Sequence, residues 1–474
     1  MKSEWFDEIR DVRGNVRPHY QALSQCWQSL NRSQVAKMFQ TSREMFAGDY
    51  PQDPLPRVIT ANEFFVLRTG VEQRGRAIRK FLIDYYSGGR RWKRVFHPKV
   101  LRSILSRNHR VNVKGELKLN AIAFPFGPDI IRDQQGQWRI IEDSAGCLGG
   151  FGDLITGRKI LLKTVPNYRQ IFEDASEPKH FFRELAAYYK CRAKEHDGVA
   201  VFYPYGDNSD HEEERIAKIF RDDGILTVHQ ASGDDLSLRF QSKKVYLYRR
   251  GKKIDRVGYI VLRASPENMN LVHLLHALNK LRNRDIRKSK IEHMNSLFTS
   301  MLSGTIATNF SPGTRFINDK MFGIYVDAII ENYLGESPIL TSIPAHSLTI
   351  LSATGRWRVD ERKLTRSIQH KDDYVFKRVD QDGGDGVWIG HKQTKSEIAK
   401  LADAIRAEPE KYIYQEFEHL SVLQDRIVDL RIHAHVDADR IIISNTPWGR
   451  ANWLQGDGKV NLGSNGFTSP VVVV

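Results

Sequence analysis

Residues 376–390 read FKRVDQDGGDGVWIG: an apolar strand that ends near Lys377, a turn built on Gly383, Gly384 and Gly386, and a second apolar run. Glycine enters left-handed backbone that other residues resist, so such a turn can aim its N–H groups inward at a polyanion. Lys377 adds a point charge for the same polyanion. Taken alone, the pattern also describes an ordinary glycine-rich hairpin with an unrelated lysine. Its neighbours extend it. DYVFKRV leads in, while KYIYQEF, DLRIHAHV and DRIIISN follow as strand-like runs, with one helix at SEIAKLADAIRA. Strands flanking a glycine-rich turn make a lid suited to a nucleotide.

A second informative stretch lies far upstream. PDIIRD (128–133), a Gln-Gln-Gly-Gln turn and WRIIEDSAG (138–146) predict two strands joined as a hairpin. Asp129 opens the first strand and Glu142 closes the second, so antiparallel pairing would bring the two carboxylates together. Convergent carboxylates are what Mg²⁺ requires. A pair of ordinary exposed acids fits the same pattern.

Around these two stretches the chain changes character by region. NEFFVLRTGVEQRGRAIRKFLIDYY, within the first hundred residues, repeats its apolar positions at helical spacing and predicts a helical cap. From about Gly198, GVAVFYPYG, HEEERIAKIFRDDG and ILTVHQ predict a strand, a helix and a strand, and KVYLYRRGKKIDRVGYIVLR two more strands around a basic turn. The resulting division is a helical cap and substrate region at 1–115, the carboxylate-bearing part at 116–196, a Rossmann-like α/β domain at 197–302 and the lid with the remaining core at 303–474. The fold class is α+β.

Composition narrows the function classes. With 474 residues, 41% hydrophobic and 27% charged, the chain is long enough for several cores and has a globular balance. No apolar run approaches the roughly 20 residues of a membrane span, and the start lacks a secretory stretch, so a cytoplasmic protein with no membrane partner is expected. A net charge of +15 favours acidic partners, among them nucleotide phosphates or an acidic carrier protein. No aromatic-interleaved basic module appears, and no nucleic-acid partner is expected. Cys26, Cys147 and Cys191 offer neither a disulfide framework nor a metal knuckle and read as reduced, mostly buried thiols. His433 and His435 alternate as two zinc ligands would, without a third ligand in sequence.

The ordered set GNVRPHY (14–20), PLPRVI (54–59), GVEQRGRAI (70–78), PDIIRD with WRIIEDSAG, SGTIATNFSPGTRFINDK (303–320), YLGESPIL (333–340), the glycine-rich turn, YIYQEF and DLR resembles the circularly permuted ATP-grasp family, type 2. Together these segments span nearly the whole chain. The resemblance also accounts for the order of parts, since the magnesium-type hairpin precedes the lysines and joining the two ends restores the usual sequence.

What the resemblance implies is an ATP-dependent, ADP-forming ligase. A carboxylate would attack ATP to form an acyl phosphate, which an amine or thiol acceptor captures to give an amide or peptide bond. Lys320 and Lys377 would contact the phosphates under the Gly383, Gly384 and Gly386 turn. Gln415, Glu416 and Phe417 would read adenine along one hydrogen-bonding edge. Asp129, Glu142 and Ser144 would hold Mg²⁺, and Arg132, Arg431 and Arg450 would stabilise the transferred phosphoryl group. Ser144 stands where the family has Asn, and Trp448 where it has a glycine. Those departures leave open an ATP-grasp phosphotransferase or a decayed nucleotide-binding protein.

Overall fold

The computed structural model describes residues 5–46, 51–108, 116–172, 175–204, 211–229, 235–241, 244–266, 295–351, 357–381, 383–438 and 440–474. The 109–115 end of the expected cap and residues 267–294 of the expected α/β region lie outside them. Three sheets organise the described chain. A seven-stranded sheet runs Thr341–Ser342, Trp138–Glu142, Asp129–Arg132, Arg426–Arg431, Trp448–Trp453 and Phe467–Thr468, with Val422–Leu423 also on Arg426–Arg431. A four-stranded sheet runs Ala345–Ser347, Tyr412–Glu416, Tyr374–Arg378 and Val387–Ile389. Both are built from antiparallel neighbours except where Thr341–Ser342 joins Trp138–Glu142 in parallel.

The third sheet is mixed. Leu226–Thr227, Val199–Tyr203, Lys252–Leu262 and Ala307–Thr308 lie parallel, as in a Rossmann-like unit. The basic turn joins Lys252–Leu262 to the antiparallel Lys244–Arg249, which in turn pairs in antiparallel fashion with Leu236–Gln241. The helix His211–Asp222 crosses between the two parallel strands and stops before Gly224, whose φ of +82° a side chain would resist.

The predicted cap helix is Ala61–Tyr86. Thr60 accepts from the Glu63 amide while the Glu63 carboxylate accepts from the Thr60 amide, which satisfies two orphan donors at its start. Leu67, Val71, Ile78, Phe81 and Leu82 are buried on one stripe. Complete burial of a side chain such as Phe81 contributes about 1.5–3 kcal/mol. Just before this helix, Arg57–Ile59 pairs in parallel with Val471–Val473, so segments more than 400 positions apart share one ladder.

Two expectations are corrected here. DLRIHAHV is not one strand: Arg426–Arg431 belongs to the seven-stranded sheet and Ala434–Val436 to a three-stranded one with Phe124–Phe126 and Ile441–Ile443. The chain changes sheets at Ile432 and His433, where the His433 ring approaches the Gly149 carbonyl at 3.1 Å. The cysteines are not mostly buried either. Cys147 and Cys191 are exposed and Cys26 is partly so, because Cys191 falls off the buried stripe of the helix Pro178–Glu195 and Cys147 sits at a cavity edge.

Candidate functional site

Strand register places a row of functional side chains across the seven-stranded sheet. Glu142 lies opposite Asp129, Asp129 opposite Arg431, and Arg431 opposite Trp448; one step along, Asp429 lies opposite Arg450. Because side chains alternate between faces, Asp429 and Arg431 share a face, as do Trp448 and Arg450. Opposite positions in such ladders touch, and two of these pairs, Asp129 with Arg431 and Asp429 with Arg450, carry opposite charges. Arg431 donates from Nε to Asp129 at 2.7 Å. Arg450 lies 2.8 Å from Asp129 and donates from Nε to Asp429 at 3.1 Å. Burial would raise the Asp129 carboxyl, but Arg431 and Arg450 outweigh it and hold it down to about 2. Asp429 moves the other way, pushed up by burial despite Arg450.

The four-stranded sheet faces this floor. Val375 lies opposite Gln415 and Ile389, and Lys377 opposite Ile413 and Val387. Between the sheets lies a cavity of about 480 Å³, lined by Asp129, Glu142, Arg431 and Arg450 below and by Val375 and Lys377 above, among others. Phe417, Leu420 and Val460 add apolar wall beside the 415–417 segment. Gly383, Gly384 and Gly386 have φ of +72°, +88° and +66°, which is the conformational reason for three glycines in this turn. The loop after Gly456 meets it: Lys459 Nζ donates to the Gly384 carbonyl at 3.3 Å.

The two lysines converge on Glu142. Lys320 Nζ lies 3.2 Å from the Glu142 carboxylate and donates to the Gln381 carbonyl at 2.6 Å. Lys377 Nζ points at the Ile141 carbonyl, 3.4 Å away. Burial pulls the Lys377 ammonium down to about 8; Glu142 opposes that shift and Lys320 adds to it. A buried, weakly hydrated cation pair beside one carboxylate is an environment that a polyanion would relieve.

The profile of the circularly permuted ATP-grasp type 2 family matches residues 56–447. The chain belongs to that family. An uncharacterized protein of Mycobacterium leprae is 24% identical, the match covering 97% of this chain and 81% of that one. A Frankia casuarinae protein provisionally named glutamate–cysteine ligase 2-2 is also 24% identical, over 92% of this chain but only 50% of its own length. Among solved structures, the apo form of a glutathione synthetase-like effector, GSS30, of Globodera pallida superposes with a TM-score of 0.58 at 10% identity, covering 94% of this chain and 98% of that one. That likeness supports the fold.

Against the ATP-grasp expectations, the structure brings together Lys320, Lys377, Gly383, Gly384, Gln415, Glu416, Phe417, Asp129, Glu142, Ser144, Arg431 and Arg450 around one cavity. Gly386 of the turn is not among the lining residues, and neither is Arg132. It pairs with Glu63 and, at 3.6 Å, with Glu8, and lies over the Trp138 and Phe6 rings. Strand alternation is the reason, since three positions along a strand reverse the face. Asp129 is also placed otherwise than a free ligand would be, because both its oxygens meet arginines. In the 415–417 segment the Glu416 and Phe417 amides already donate to the Pro344 and Asp373 carbonyls, and the Gln415 side chain donates to Ile141 and Ile343 carbonyls at 3.3 Å. Those groups are therefore not open to a base in this arrangement.

Two residues escaped the sequence reading. Arg74, wholly buried, grips Asp143 through Nε at 2.8 Å and Nη2 at 2.6 Å, and reaches Asp327 at 2.7 Å. It thereby anchors the residue next to Glu142. Its signal was present as an arginine on the buried stripe of the cap helix. Asp429, the partner of Arg450, was visible as the acid two positions before Arg431. His433 and His435 find no metal: among the described residues no group of three or more His, Cys, Asp or Glu could hold one. Burial, with Arg431 nearby, drives the His433 pKa down to about 3.

Proposed function

We propose that the protein is an ADP-forming ligase that joins a carboxylate to an amine or thiol through an acyl phosphate. The observation that carries this reading is the single cavity that unites two buried lysines, a partly exposed carboxylate, paired arginines and a positive-φ glycine turn, in a chain of the ATP-grasp ligase family. The family uses ATP and Mg²⁺. Glu142 and Ser144 fit a magnesium ion already bound to phosphates, because Mg²⁺ needs only one or two protein oxygens and keeps waters and phosphate oxygens for the rest. Bound there, Mg²⁺ supplies charge neutralisation at the transferring phosphoryl group.

The chain's own residues do the remainder. Lys320 and Lys377 turn from Glu142 and from carbonyls toward the phosphates. Asp129 orients Arg431 and Arg450 so that their guanidinium faces are fixed where negative charge builds on the phosphoryl oxygens; fixed donors need no reorganisation at that moment. The glycine turn and the loop at Lys459 close over the phosphates and exclude water, which protects an acyl phosphate from hydrolysis. The base lies among Val375, Val387, Ile389 and Leu420. The acceptor is a small amine, thiol or peptide, with an acidic carrier protein as a further fit to the basic chain, and the setting is the cytoplasm.

The test is ADP release from Mg-ATP over a panel of carboxylates, with hydroxylamine present to convert any acyl phosphate to a hydroxamate. Carboxylate-dependent ADP and hydroxamate formation is the expected result. A stable phosphate ester would identify a phosphotransferase instead. Tight Mg-ATP binding with no turnover on any acid would identify a nucleotide-binding protein.

A further inference from the structure

Among the described residues, every cation lining the cavity but one is engaged by a neighbour. Lys320 is held by Gln381 and Glu142, Lys377 by Ile141, Arg431 by Asp129 and Gly149, Arg450 by Asp129 and Asp429, and Lys459 by Gly384. Arg315 also lines the cavity, half-buried. Among the described residues, no hydrogen bond or ion pair engages its guanidinium. A guanidinium so placed is a preformed fork for a carboxylate or phosphate.

Its position is set by a rigid segment. Arg315 and Asn318 are the two ends of the 3₁₀ turn Arg315–Asn318, and residues three apart in such a turn eclipse, separated by about 6 Å of rise. Asn318 Oδ1 accepts from the Ala145 amide at 2.8 Å. Phe310 packs so closely on Gly146 that a Cβ there would sit 3.3 Å from its ring. Arg315 therefore stands by the turn that follows Ser144, on the same segment that delivers Lys320. Trp448 bounds the floor: a Cβ on Gly150 would meet its ring at 2.0 Å.

We propose that Arg315 docks a second anionic group on the substrate whose carboxylate is activated, which makes the substrate class a compact acid carrying two anionic groups. The proposal rests on the ligase reading of the same cavity. About 480 Å³ is at the low end of the roughly 300–1,000 Å³ seen for single-ligand pockets, so a nucleotide leaves space only for a small partner.

Calorimetry on the full chain tests it, with the non-hydrolysable nucleotide AMPPNP plus Mg²⁺ and, separately, without nucleotide. The probes are glutarate and L-glutamate against butyrate and 4-aminobutyrate, which lack the second carboxylate. Glutarate or glutamate should bind at least tenfold more tightly than its monocarboxylate counterpart. Arg315→Gln should abolish that preference, Arg315→Lys should keep part of it, and neither should alter AMPPNP affinity. Among the described residues the Arg315 guanidinium makes no hydrogen bond or ion pair, so both variants should melt close to the parent. Equal binding of the paired probes, absence of binding by all of them, or weakened AMPPNP binding in Arg315→Gln would overturn the proposal; the last would make Arg315 a phosphate ligand. Failure of the parent to bind AMPPNP would instead strike the nucleotide reading, and the probe preference without nucleotide would still decide Arg315.

Discussion

Lys377 is the residue at which burial and function meet most directly. Its ammonium is held down to about 8 chiefly by burial, yet the phosphates it is proposed to bind need it charged. The sign follows from that. Below pH 8 the lysine is mostly protonated and its attraction for phosphate is present; as pH rises through about 8 the charge is lost and affinity falls. If only the protonated form binds, Mg-ATP affinity drops roughly tenfold for each unit above the pKa. Titration calorimetry between pH 7 and 9.5 should show this slope, and Lys377→Arg, which stays charged, should flatten it. A slope unchanged in Lys377→Arg would remove Lys377 from the phosphate site. Arg74 makes a different kind of claim. Its removal in Arg74→Ala leaves Asp143 buried without a counter-charge, which costs about 3–5 kcal/mol. Urea unfolding should show that loss, and Arg74→Met combined with Asp143→Leu should recover part of it, because the buried Asp143 charge then leaves with Arg74 while the partly exposed Asp327 still loses its partner.

At the scale of elements, the glycine turn is the segment whose backbone conformation is most specific. Gly384 has a φ of +88°, and a Cβ there would sit 3.0 Å from the Ser464 hydroxyl and 3.1 Å from the Asn461 amide. Gly384→Ala should therefore add about 1–2 kcal/mol of left-handed strain and open the contact with the 461–464 loop. The expected outcome is a roughly tenfold fall in kcat/KM for ATP with little change in Tm, since the turn lies at the edge of its sheet; a normal kcat/KM would show that the turn does not close on the phosphates. The backbone of this turn was legible in the sequence because three glycines in four positions call for positive φ, while its role was not, since an ordinary glycine-rich hairpin reads the same way. The Asp129–Glu142 hairpin was legible because a polar turn between two apolar runs names both partners, whereas the register shift at Asp129 and Ile130 that sets Asp129 opposite Glu142 was not. Arg132 was misplaced although strand alternation alone puts it on the face opposite Asp129. Arg315 and the Arg74–Asp143 pair were not legible, because what a side chain meets depends on segments remote in the chain, 69 positions away for Asp143 from Arg74.

The whole molecule depends on such distant pairings. The floor of the cavity joins 129–142 to 426–453, and the cap helix that carries Arg74 to Asp143 begins directly after the Arg57–Ile59 strand. That strand is held by Val471–Val473, with Val472 wholly buried and Val471 and Val473 nearly so. Val472 packs with Val58, Tyr20 and Leu23, while Val471 and Val473 belong to the core that includes Ile59 and Phe81. An uncompensated charge at Val472 must therefore either unfold this ladder or drag the start of the cap helix away from the site. Val472→Asp should lose about 4 kcal/mol or more, an exceptional value for a point change, against a typical total of about 5–15 kcal/mol. Val474, which is 37% exposed, provides the control, and Val474→Asp should stay within about 0.5 kcal/mol. Urea unfolding followed in parallel with AMPPNP binding separates the consequences. Because Arg74 reaches Asp143 through the helix anchored by this ladder, Val472→Asp should lose nucleotide affinity at urea concentrations where Val474→Asp still binds. Coincident behaviour of the two variants would mean that the pairing of the first and last strands does not hold the cap to the catalytic floor.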